Sequence, residues 1–213
     1  MSKKINPNAM RIGVTKPWKS LWYAENGRYA DAVVEDDKIR TYLTKSLRTS
    51  GLDELLIERS IKAVKIVIRV SRPGVVIGRK GVGLSQIRED LKKITKSEID
   101  LQIEEVKKPE GRANIIAEAV AMQVERRVSA RRAINVAADK AIEAGVLGVK
   151  VQIGGTVHGP NSIGTSFLTT RGAVPTQTIR ADVEYAKAVA HTRGGTIGIK
   201  VWVYRGEIEN ANT

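Results

Sequence analysis

The chain is 213 residues long, which allows one large or two modest domains. It carries 36 Lys and Arg against 23 Asp and Glu, a formal charge of +13, with no Cys and only 4% aromatic residues. That balance points to a polyanionic partner, excludes disulfides and thiolate metal sites, and argues against a fold that stacks bases on sheet aromatics. No apolar run is long enough to span a bilayer, and Met1–Pro7 lacks the apolar core of a secretory signal. A cytoplasmic protein without metal or cofactor is expected.

Residues 1–30 read as an extended basic arm. Lys3, Lys4, Arg11, Lys16, Lys19 and Arg28 face a single acid, Glu25, and Pro7 and Pro17 interrupt any period. Such a segment is expected to order only on a partner. Trp18, Trp22 and Tyr23 interleave with its cations, an arrangement suited to stacking on looped RNA. The competing reading is that these rings pin the arm to its own globule.

Asp36 and Asp37 are candidate N-caps for a helix with Ile39, Tyr42, Leu43 and Leu47 on one face. Ser50-Gly51 ends it, and Leu55–Arg59 reads as a short strand. Val64, Ile66, Ile68 and Val70 then alternate with Lys65, Val67 and Arg69 as a half-buried strand. Next comes Val75-Val76-Ile77-Gly78-Arg79-Lys80-Gly81, a Gly-x-x-Gly turn with two cations inside. An amphipathic helix follows, with Leu84, Ile87, Leu91 and Ile94 at helical spacing, and then a strand with Ile99, Leu101 and Ile103. Glycine lets a nucleic-acid backbone come close, and the turn's amides with the following helix start face its phosphates. Strand, short helix, Gly-x-x-Gly, helix, strand is the order of a KH module, and the preceding helix and strand make it type II. The turn lacks the Gly-Lys-Ser/Thr of a nucleotide-binding phosphate loop.

Lys107–Gly111 reads as a linker. Over 113–144, Ile116, Val120, Val124 and Val128 form a helical stripe that Ile134, Ala138, Ala141 and Ile142 continue. An unbroken helix would place Arg127 and Arg131 inside that stripe, and two buried unpaired guanidiniums are too costly. A break near Val128-Ser129-Ala130 is therefore expected, displaying Arg126, Arg127, Arg131 and Arg132 at a corner. Alternating segments at 149–153, 179–185 and 197–204, with a weaker one at 166–170, read as strands separated by glycine turns. The fold class is α+β: a type II KH domain over 31–110, then a C-terminal α+β domain over 111–213 whose antiparallel sheet carries two helices on one face.

Nothing marks a catalyst. His158 and His191 sit in predicted loops outside any metal-ligand spacing. Ser162 and Ser166 near His158 lack a base with an orienting acid. Glu104 and Glu105 point to opposite faces of their strand. The chain is not expected to be an enzyme.

Four separated blocks resemble the bacterial-type small-ribosomal-subunit protein three family. They are Pro7 with Arg11-Ile12-Gly13 and Lys16–Ala24; Arg72–Gly81; Glu125–Val128 with Arg131-Arg132-Ala133; and Val174-Pro175, Thr178–Val183 and Gly198–Val203. The resemblance implies a structural, ribosomal-RNA-binding role in the head of the small subunit. It also implies a lining for the channel where messenger RNA comes in. Small-subunit proteins ten and fourteen are the implied neighbours, with four and five across the channel and two as a further candidate. In the family Arg131, Arg132 and a lysine in the place of Asn135 grip incoming messenger RNA. Here the third cation is missing. The loop Gly155–Gly164 also lacks the arginines common in the family, and Asn6-Pro7-Asn8 replaces the usual His-Pro-Gly. Candidate RNA contacts are Arg11, Lys16, Trp18, Trp22, Arg72, Gly78, Arg79, Lys80, Gly81, Arg126, Arg127, Arg131, Arg132 and Arg180. The rival readings are a free KH regulator acting on transcripts and an RNA-processing enzyme.

Overall fold

The computed structural model describes residues 5–25, 27–60, 63–95, 97–157, 159 and 162–208, so His158 lies outside the described residues. They divide into two compact units, Trp18–Lys107 and a second made of the residues up to Pro17 and those from Lys108 onward.

The first unit runs β1 (Ser20–Leu21), α1 (Tyr29–Ser46), β2 (Leu52–Arg59), β3 (Ala63–Val70), α2 (Pro73–Ile77), α3 (Val82–Ile94) and β4 (Glu98–Glu105). Its sheet has the order β1-β2-β3-β4, with β2 and β3 antiparallel and the other two pairings parallel. Period-two alternation fixes the register. Ile57, Ile66 and Leu101 fall opposite one another on the face that meets the helices. Ile39 and Leu43 of α1 and Ile87 and Leu91 of α3 close the core over them. Each such aliphatic side chain contributes about 1.5–3 kcal/mol when fully buried. Pro73 starts α2, where its missing N–H leaves no bond unmade.

Helix α1 begins at Tyr29, not at Asp36 or Asp37. Asp36 is no cap. It is a buried mid-helix carboxylate that accepts from Ser20 Oγ at 3.1 Å, Trp22 Nε1 at 2.8 Å and Arg59 Nε at 2.7 Å. Three charge-assisted donors offset its desolvation, and they tie the 18–25 segment to α1 and β2.

The second unit contains α4 (Ala113–Glu125), α5 (Ala130–Glu143), β5 (Gly148–Gly155), β6 (Thr165–Gly172), β7 (Ala181–Thr192) and β8 (Gly195–Glu207). The sheet order is β6-β5-β8-β7, antiparallel throughout. Val149, Val151, Ile199 and Val201 of its inner face bury against Ile116, Val120, Ile134 and Ala138 of the two helices. The expected helix break and the weaker strand at 166–170 are both present. The strand expected from Ile179 begins at Ala181.

The arm does not stand apart as one extended segment. Its described part up to Pro17, residues 5–17, lies along β7, the edge strand. The Asn8 side chain donates to Tyr185 O at 2.8 Å and accepts from Tyr185 N at 3.2 Å. It thereby occupies the place of a neighbouring strand. Arg11 is fully buried and donates to Ala181 O at 2.8 Å, Pro7 O at 2.9 Å, Thr178 O at 2.7 Å and Thr176 O at 3.2 Å. The basic composition of this stretch reads as a mobile tail, but its cations satisfy main-chain carbonyls of the sheet domain.

Candidate nucleic-acid interface

The Gly-x-x-Gly turn is built by helix ends. Gly78 closes α2 at φ +69°, Arg79–Gly81 make a single tight turn, and α3 starts at Val82. A Cβ on Gly78 would stand 3.1 Å from Gly83 N, and one on Gly83 would stand 2.6 Å from Val76 O. Gly83, which the sequence reading passed over, is thus what lets α2 and α3 close tightly enough to project the turn. Arg79 and Lys80 are exposed, and neither forms an ion pair among the described residues. Val75 and Val82 are 56% and 65% exposed beside them. Arg72 is exposed too, donating to Thr49 O at 2.9 Å.

The arginine corner is a second device of the same kind. Helix α4 ends in paired bonds from Arg127 N to Val124 O at 2.9 Å and from Val128 N to Gln123 O at 3.0 Å. That is the Schellman pattern, whose left-handed position glycine usually fills. Here Arg127 holds it at φ +65°. Arg126, Arg127, Arg131 and Arg132 are all exposed, and none forms an ion pair among the described residues. The Arg131 guanidinium lies over the Phe167 ring, 5.1 Å from its centroid. Arg127 and Arg131 open onto a cleft of about 1000 Å3 that Arg193 of the β7–β8 turn also lines. Arg193 was missed because a lone arginine among turn residues carries no sequence signal.

Among the described residues only Lys80 and Arg127 have positive φ without being glycine. Both are cations, one in each candidate site. Backbone strain of this kind, roughly 1–3 kcal/mol per residue, concentrates at functional positions.

The remaining candidates divide. Trp18 is 62% exposed and Tyr23 88%, so both rings are open to stacking. Trp22 is held by Asp36, by Tyr29 at 5.4 Å between centroids and by Arg59 at 5.8 Å from its ring. It pins the segment to the first unit. Arg11 is withdrawn from solvent, with burial lowering its pKa against the pull of Asp182. Lys16 is likewise lowered by burial, opposed first by Asp182, and it donates to Val183 O at 2.9 Å. Arg180 is exposed and ion-paired with Glu207 at 3.0 Å. His191 is exposed, and its backbone N–H donates to Glu125 Oε1 at 3.1 Å.

Comparison with known proteins gives two domain matches, a KH domain over residues 38–111 and the ribosomal protein S3 C-terminal domain over residues 120–203. The small ribosomal subunit protein uS3 of Agathobacter rectalis is 43% identical over 208 residues, 98% of this chain and 94% of the relative. The uS3 proteins of Pelagibacter ubique and Shewanella loihica are 42% and 41% identical over the same share of this chain, covering 92% and 90% of the relatives. The chain belongs to the uS3 family. It is a structural constituent of the small ribosomal subunit, cytoplasmic and not an enzyme. Asn135, at the next turn of α5, carries no charge, and its side-chain oxygen accepts from Thr169 Oγ1 at 2.8 Å, stitching α5 to β6. The corner therefore presents Arg131 and Arg132 with a neutral side chain, not a cation, at position 135.

Proposed function

We propose that this uS3-family protein binds ribosomal RNA in the subunit head through the Arg79–Lys80 turn and guides incoming messenger RNA with the arginine corner. The observation that carries the reading is the pair of strained, unpaired cations, Lys80 and Arg127, each displayed at a helix end. Ion-paired arginines elsewhere in the chain, such as Arg59 and Arg69, show how the fold treats cations it uses for itself. The mechanism is non-enzymatic: Lys and Arg neutralise phosphates and release counterions, and the turn sets register. Trp18 and Tyr23 supply stacking faces near the same unit's sheet edge. The neighbours implied by the family, small-subunit proteins ten and fourteen with four, five and two, belong to this proposal.

Replacing Arg79 and Lys80 with Asp weakens RNA binding and flattens its salt dependence, each lost phosphate contact removing about 0.9 from the log–log slope. An unchanged slope removes the turn from the interface. Replacing Arg131 and Arg132 with Ala slows translation through structured messages and leaves subunit assembly intact. Equal slowing on unstructured messages argues against a role in guiding the strand.

A further inference from the structure

The outward face of the second unit's sheet breaks the charge rules that the first unit's sheet obeys. In the first unit each outward cation sits among carboxylates. Arg69 lies 3.0 Å from Glu54 and 2.9 Å from Glu104, and Lys65 lies 3.4 Å from Glu58. In the second unit Lys187 of β7 and Lys200 of β8 are direct cross-strand partners. Like charges in that register repel. Both are exposed, and neither has an ion pair among the described residues. The same row continues through Gln152 to Leu168, and the row beside it, on the other side from Gly154 and Gly198, places Lys150 over Trp202 at 5.5 Å. None of these rows carries an outward Asp or Glu.

A second, independent feature adjoins the lysine pair. Gly154 and Gly198 are cross-strand partners one row further along. Neither has φ in the left-handed region, and a Cβ on either would meet nothing nearer than 3.7 Å. The glycines are thus not required by local geometry, and glycine inside a strand weakens it unless something must approach the backbone closely. Lys187, Lys200, Gly154 and Gly198 together make a bare, cationic shelf. We infer that this shelf docks the sugar-phosphate backbone of an RNA strand, with phosphates between Lys187 and Lys200 and the strand lying over the glycine row. An acidic protein surface fits less well. The exposed apolar side chains of this region, Leu168 and Val189, sit on opposite edge strands and form no anchor patch.

The inference rests on the reading of the protein as an RNA binder, but not on the turn or the corner. The test uses the full chain and a fluorescent RNA stem-loop, titrated across salt concentrations. The double variant Lys187→Gln, Lys200→Gln is expected to bind more weakly and to lower the log–log salt slope by nearly two, in line with two lost phosphate contacts. Its thermal midpoint is expected at or above that of the parent, because the repulsion is gone. Gly198→Val, which adds a strand-favouring side chain in open space, is expected to lower affinity several-fold with the salt slope kept. Unchanged affinity and slope in the double variant overturn the shelf. So does a double variant that binds RNA normally but is lost from small subunits, which would assign the face to an acidic protein. The Arg79→Asp, Lys80→Asp variant in the same titration keeps the two proposals apart: its loss of slope alone supports the turn, and loss in the lysine variant alone supports the shelf.

Discussion

Arg11 shows how far a side chain's role can lie from its apparent signal. In sequence it is one of several cations in a proline-punctuated stretch, and RNA contact is the natural reading. Its partners are carbonyls 165 to 170 residues away, at Thr176, Thr178 and Ala181, with Pro7 nearby. No local pattern encodes such a set. Arg11→Met keeps the length of the side chain and leaves four carbonyls without a charged donor. It should cost about 3 kcal/mol or more in urea unfolding of the full chain. The salt slope for RNA should stay as it is. A slope lowered by about one with stability intact would return Arg11 to the interface.

At the scale of elements, much was legible because burial imposes periodicity. The Ile87–Leu91 spacing of α3, the alternation of β3 and β5 and the break between α4 and α5 all follow from which residues must be buried. The break was forced by charge: a continuous helix would have buried two guanidiniums. What stayed hidden was chemistry without period. Asp36 has the residue type of a cap, yet a tertiary set of donors claims it within α1. The Schellman turn was invisible because its glycine position is filled by Arg127. That substitution yields a prediction at this scale. Arg127→Gly should raise the thermal stability of the corner, by about 1 kcal/mol from the relieved left-handed conformation, while weakening RNA binding. Arg127→Ala, which keeps the backbone cost and loses the charge, should weaken binding equally without the gain. If Arg127→Gly gives no gain in stability, the corner holds no strain to trade for function.

At the scale of the whole molecule, the N-terminal arm is shared out: residues up to Pro17 belong with the second unit and those from Trp18 with the first. The two halves differ in what they attach to. The 18–25 segment adds a short parallel strand and a half-buried ring to the KH sheet. The earlier segment covers the free edge of β7, where an uncovered strand would present unpaired amides and carbonyls to other chains. Deleting residues through Pro17 therefore has an effect confined to one unit. The Tyr185 amide loses its acceptor, the carbonyls of Tyr185, Val183 and Ala181 lose their donors, and the β7 edge opens. Hydrogen exchange should show β7 amides losing protection by at least tenfold, a loss of about 1.4 kcal/mol or more in local opening free energy. Amides of β3 in the first unit should keep theirs. The truncated protein should also self-associate more readily, because a long exposed edge strand recruits a second copy. Retained protection along β7 would mean that the hairpin with β8 holds this strand unaided, and that the arm's buried cation serves only to fasten the arm itself.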